Sequence, residues 1–68
     1  MTRDEHLQWA KDRALEYVDH GDITNAIASM ISDLGKHDDL RAVQSFAAIT
    51  GILQVNGNDA RRWIEGFN

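Results

Sequence analysis

The sequence predicts an all-α fold, a small bundle of three to four helices arranged as two packed helical hairpins. Three observations predict it. Apolar residues recur at the i, i+3, i+4, i+7 spacing of a helix face along most of the chain, and no stretch alternates with the period of two that marks a half-buried strand. Glycines and acidic or amide residues punctuate the sequence at helical intervals, where helices stop and start. Proline is absent, which removes the residue that breaks helix interiors and that loop-rich β folds recruit into turns. At 68 residues the chain reads as one domain, 1–68.

The first helix is expected over residues 3–20. Thr2 and Glu5 form a T-x-x-E capping box, each side chain serving the other's free backbone amide. Leu7, Ala10, Ala14, Tyr17 and Val18 then follow at helical spacing to Gly21, placed to end the helix. The second, 23–34, is capped by Asp22 and carries the clearest stripe: Ile23, Ala26, Ile27, Met30, Ile31 and Leu34. Gly35 closes it. The third, 39–55, is capped by Asp38 or Asp39 and runs through Leu40, Val43, Phe46, Ala47, Ile49, Ile52, Leu53 and Val55. These apolar positions go almost all round the helix, the pattern of a central, buried element. Gly51 inside it costs about 1 kcal/mol relative to alanine, so close packing or a bend is expected there. Asn56-Gly57 signals a turn, and Asn58 or Asp59 caps a last helix over 59–66 with Ala60, Trp63, Ile64 and Phe67 on one side.

The core is small. Of the 43% hydrophobic residues eight are alanine, and chains below roughly 70–80 residues seldom draw more than about 3–5 kcal/mol from one core. Without cysteine there is no disulfide and no Cys-ligated zinc or iron–sulfur centre. Tight helix packing or self-association must supply the rest. The third helix has more apolar surface than one hairpin can cover, so either the second hairpin crosses it or a second chain does.

Net charge is -4, unevenly placed. Residues 1–39 hold nine Asp/Glu against four Lys/Arg, and residues 40–68 two against three. An acidic half disfavours nucleic acid, where phosphate neutralisation supplies most of the affinity. No run of about 20 apolar residues is present to span a bilayer. The stretch 1–20 carries charge throughout, unlike a signal peptide, so the expected location is the cytoplasm.

Ala14, Tyr17, Gly21-Asp22, Ala26 and Met30 stand at the small, aromatic, glycine, alanine and large-apolar positions of half a tetratricopeptide repeat, which this stretch resembles. The resemblance implies that alanines let two helices approach while Tyr17 fills the gap beyond them. Ala10 replaces that family's early aromatic and Asp38 its closing proline. No second copy follows, and a solenoid needs about three repeats, so the peptide-binding groove is not implied. The segments Arg13 to Asp19, Ala28 to His37 and Trp63 to Asn68 resemble small uncharacterised helical proteins encoded by bacteriophages and prophages, with residues 38–58 departing from that group. This second resemblance implies an origin, in a host cell's cytoplasm, and no activity.

Several constellations bear on function. At about 100° per residue, Trp9 points away from Leu7 and lies among Glu5, Asp12 and Glu16, with Arg13 and His20 on the same outer side. An exposed tryptophan among charges is a protein-binding anchor; otherwise Trp9 folds over the hairpin end onto Trp63 and Phe67. Asp12 and Glu16 are like charges one turn apart, and Asp19 sits at the negative end of the helix dipole, each costing a few tenths of a kcal/mol. Such a face either keeps a small protein in solution or awaits a basic partner. General acid–base work needs a cleft and a shifted pKa, which a surface helix face does not offer. His20 with Asp22, or His37 with Asp38 and Asp39, are metal sites on paper only, because these Asp residues are placed as caps. Arg61-Arg62, with Arg41, is the only basic cluster, and Arg62 has Asp59 or Glu65 as alternative partners.

The expectation is therefore a non-catalytic interaction module without cofactor or metal, binding a host or phage protein through Trp9, Glu5, Asp12, Glu16 and Asp19. The alternatives are a nucleic-acid-binding module using Arg41, Arg61 and Arg62, or a homodimeric structural or assembly subunit joined by the third helix.

Overall fold

The computed structural model describes residues 2–68. Four α-helices follow one another, α1 (Arg3–Asp19), α2 (Ile23–Leu34), α3 (Arg41–Gly51) and α4 (Gly57–Glu65), with a 3-10 turn at Asp38–Leu40 ahead of α3. No strand occurs among the described residues.

The expected capping box is present. The Thr2 side chain accepts from the Glu5 amide at 3.2 Å, and Glu5 accepts from the Thr2 amide at 3.1 Å. At the other end of α1, the Gly21 amide donates to Val18 and the Asp22 amide to Tyr17, both at 2.9 Å. This paired closure needs a left-handed residue, and Gly21 supplies it at φ 75°. Asp22 then caps α2 by accepting from the Asn25 amide. One short stretch thus ends α1, reverses the chain and starts α2, which returns against α1.

Leu7, Ala10, Ala14 and Val18 of α1 meet Ala26, Met30 and Leu34 of α2, and all are buried. Alanine at 10, 14 and 26 puts little side-chain volume between the two helices, and all three are fully buried. Tyr17, expected to fill the gap beyond the alanines, is not among the residues packed on the core. It lies at the surface, 38% exposed. Ala60, Ile64 and Phe67 turn inward as expected, and α4 packs on α1 and α2.

The third helix differs most from expectation. It is shorter than 39–55, ending at Gly51, after which the Leu53 and Gln54 amides close tight turns onto Thr50 and Gly51. Nor is it central. Ala47 and Gly51 are buried against the body, whereas Phe46, Ile49, Ile52, Leu53 and Val55 are 62–79% exposed. The reason is the number of walls available. The thinnest extent of the molecule is 16 Å, that of two helix layers with axes about 10 Å apart and no third. Helix α3 leans chiefly on α2, so its far side has nothing to pack on. Contact with α4 is made by Trp63, which lies against Gly51 and donates from Nε1 to the Thr50 hydroxyl at 2.8 Å. The close packing expected at Gly51 is real, since a Cβ there would lie 2.9 Å from Ile27 Cγ2 and 3.2 Å from the Trp63 ring.

Two caps fall one to three residues earlier than the sequence suggests. His37, not Asp38 or Asp39, caps the 3-10 turn, its Nδ1 accepting from the Asp39 amide. Asn56, not Asn58 or Asp59, caps α4 by accepting from the Asp59 amide at 2.9 Å. Runs of three or four cap-competent residues leave the choice to whichever one the preceding turn holds in extended backbone.

Candidate functional site

The α1 face expected to carry binding is more occupied than its sequence suggests. Trp9 is half-buried and packs neither in solvent nor on Trp63 and Phe67. Its ring lies 5.1 Å from His6, with the Arg13 guanidinium 4.9 Å and the Lys36 ammonium 5.5 Å from its centroid. Both cations are fixed by Asp33, an α2 residue 1% exposed. Asp33 accepts from Arg13 Nε at 2.8 Å, from Lys36 Nζ at 3.0 Å and from the Ser29 hydroxyl at 3.4 Å. Beneath it the buried His6 donates from Nε2 to the Asp33 carbonyl at 2.7 Å, and its ring meets that of His37 at a tilt, 5.3 Å between centroids. A buried carboxylate is tolerated only when its lone pairs are filled by charged donors, and here they are. Sequence reading missed this cluster, because nothing local distinguishes Asp33 from a solvated acid. The only available signal was Lys36 at i+3.

The carboxylates of the same face are treated unequally. Glu5 is tied into the capping box, where the Thr2 backbone amide and then its hydroxyl hold the carboxyl below its usual pKa. Asp19 pairs with Arg61 at 2.6 Å, joining α1 to α4. Asp12 accepts from the Gln8 amide at 2.8 Å. Among the described residues, neither Asp12 nor Glu16 has a cation within ion-pair distance. Glu16 borders a depression of about 250 Å³ with Arg13, Tyr17 and His20. Arg13, Glu16 and Tyr17 lie on α1 and His20 directly follows it, so the depression is a furrow along one side of that helix.

The basic residues do not act as a cluster. Arg41 faces Asp38 at 3.1 Å, Arg62 faces Asp59 at 3.2 Å, and Arg61 is the partner of Asp19. Surface pairs of this kind contribute little to stability, but each sets a carboxylate beside the charge that a phosphate would seek. The paper metal sites are likewise engaged. His20 donates from Nδ1 to the Glu16 carbonyl, and Asp22 and His37 serve as caps. No group of three or more ligating side chains converges among the described residues.

The largest unsatisfied feature is the outer side of α3 and the turn after it. On a helical projection Phe46, Ile49, Ile52 and Leu53, with Ala42 and Ser45 between them and Ala48 at their edge, lie opposite the packed Ala47 and Gly51. Val55 extends the surface beyond the helix. Residues 42–58 contain no Asp, Glu, Lys, Arg or His, whereas the rest of the chain holds all eighteen Asp, Glu, Lys and Arg residues. Backbone included, the five large apolar residues expose about 600 Å², at the top of the ~300–600 Å² typical of the largest apolar patch on a monomer. No helix among the described residues is long and apolar enough to cross a membrane. Comparison of the chain with protein-family models, with curated proteins and with solved structures finds no match.

Proposed function

We propose that the chain is a non-catalytic protein–protein interaction module that docks its partner on the uncharged outer side of α3. The observation that carries this reading is the placement of Phe46, Ile49, Ile52, Leu53 and Val55 in solvent within a run free of charge. Apolar area withdrawn from water is the main driving force of association, and depletion of charge at the centre of the patch is the compositional mark of an interface. The likeness of three segments to phage and prophage proteins supports a phage or prophage source, with a host or viral protein as partner.

A second reading, docking through the α1 face, rests on Asp12 and Glu16, whose mutual repulsion nothing in the fold relieves. A basic partner would relieve it, with Trp9 as a flat neighbour already held in place. Capture from the native host separates the two. Ile49→Glu with Leu53→Glu abolishes recovery of the partner on the first reading, and Asp12→Lys with Glu16→Lys on the second. Recovery undiminished in the first variant would remove the α3 surface as the docking site.

A further inference from the structure

We propose that the occupant of the α3 face is a second copy of this chain, the two faces meeting about a two-fold axis to make a homodimer. This rests on the reading that the face docks protein, and it adds the identity of the partner. Area is the first argument. Complete burial of two faces of about 600 Å² would remove about 1,200 Å² together, where specific interfaces begin.

Charge is the second. Each copy carries -4, so most ways of bringing two copies together oppose carboxylates. Contact through residues 42–58 opposes none, and it offers a strongly charged partner nothing to pair with. Shape agrees, since Ala42, Ser45 and Ala48 interrupt the large side chains and allow close helix approach.

A lipid surface fits less well. Helices that lie in the membrane interface carry Lys or Arg along their polar side. The opposite side of α3 is packed on α2, and its one flanking cation, Arg41, is paired with Asp38. Self-association also supplies what a 68-residue chain without a disulfide lacks, because a dimer is stabilised by mass action.

Sedimentation equilibrium of the full chain, from micromolar to sub-millimolar concentration, tests the proposal. Wild type is expected to reach the dimer mass, with a Tm that rises with protein concentration and an affinity that does not fall in high salt. Ile49→Glu with Leu53→Glu is expected to weaken the dimer by more than about a hundredfold, since four unpaired carboxylates would have to be buried. Its helical circular dichroism is expected to persist, because both positions are 68% exposed in the single chain. Should that variant unfold, the concentration dependence of the wild-type Tm carries the test alone.

A monomer at every concentration with a constant Tm would overturn the dimer while leaving docking of another protein to the capture experiment. A dimer that survives the double substitution would place self-association on another surface. A monomer that instead co-sediments with phosphatidylcholine vesicles would overturn both the dimer and the protein-docking reading.

Discussion

Asp33 offers the sharpest test of how this small fold is held. Its carboxylate is buried, whereas the cations that satisfy it are not: the side chain is 2% exposed against 48% for Arg13 and 54% for Lys36. Removing the acid and removing the cations are therefore unequal acts. Asp33→Asn frees two cations that already reach water and leaves an amide that still accepts hydrogen bonds. Arg13→Met with Lys36→Met keeps most of the aliphatic cover over Trp9 but strands a carboxylate on Ser29 alone. A hydrogen bond to a charged group contributes about 1.5–3 kcal/mol, and an uncompensated buried charge costs about 3–5 kcal/mol. Loss of cation–π contact adds about 0.5–1 kcal/mol. The double Met variant is thus expected to lose about 4 kcal/mol. A chain of this size has roughly 3–10 kcal/mol to lose. Adding Asp33→Asn to that background should restore at least about 1.5 kcal/mol. Urea unfolding followed by circular dichroism, arranged as a double-mutant cycle, measures both. A loss below about 1 kcal/mol, or no recovery on adding Asn, would refute the claim that the cations hold the acid.

Other predictions concern single positions. Gly51→Ala adds up to about 1 kcal/mol of helix preference but drives a methyl into Ile27 and Trp63, an overpacking cost of about 1–3 kcal/mol. The net loss should be visible in urea unfolding, with altered Trp63 near-ultraviolet dichroism; a stabilised protein would contradict it. Gly21→Ala is expected to cost about 1 kcal/mol through its left-handed φ, although no atom lies within 4 Å of the new methyl. Gly21→Asn should recover part of that. Thr2→Ala removes the cap and about 0.5–2 kcal/mol. Because folding lowers the Glu5 pKa, the stabilisation from this group is complete above its ordinary value near 4.5 and fades as pH falls through the folded value. Acid titration of stability should flatten in that window in Glu5→Gln. Finally, an end-labelled duplex at low salt should show no anisotropy change with the protein; salt-sensitive binding lost in Arg61→Ala/Arg62→Ala would restore the nucleic-acid reading.

What the sequence alone determined is local. The capping box at Thr2 and Glu5, the left-handed Gly21 and the Asp22 cap rest on contacts within about four residues, and the α2 stripe and the inward side of α4 are spacings along a single helix. Those contacts form wherever the helix goes, so spacing and residue type suffice to read them. Tertiary structure decided what depends on which faces meet. Asp33 looks like any surface acid until α1 lays Arg13 across it, and Asp19 is free until α4 brings Arg61. Trp9 is an exposed anchor or a packed ring depending on whether Lys36 and His6 reach it. The all-round apolar pattern of the third helix reads as burial, yet a single chain has too few helices to bury it. Hydrophobic periodicity records that a surface is to be covered. Whether it is covered is set by the number and order of elements around it, and here one side of α3 stays exposed.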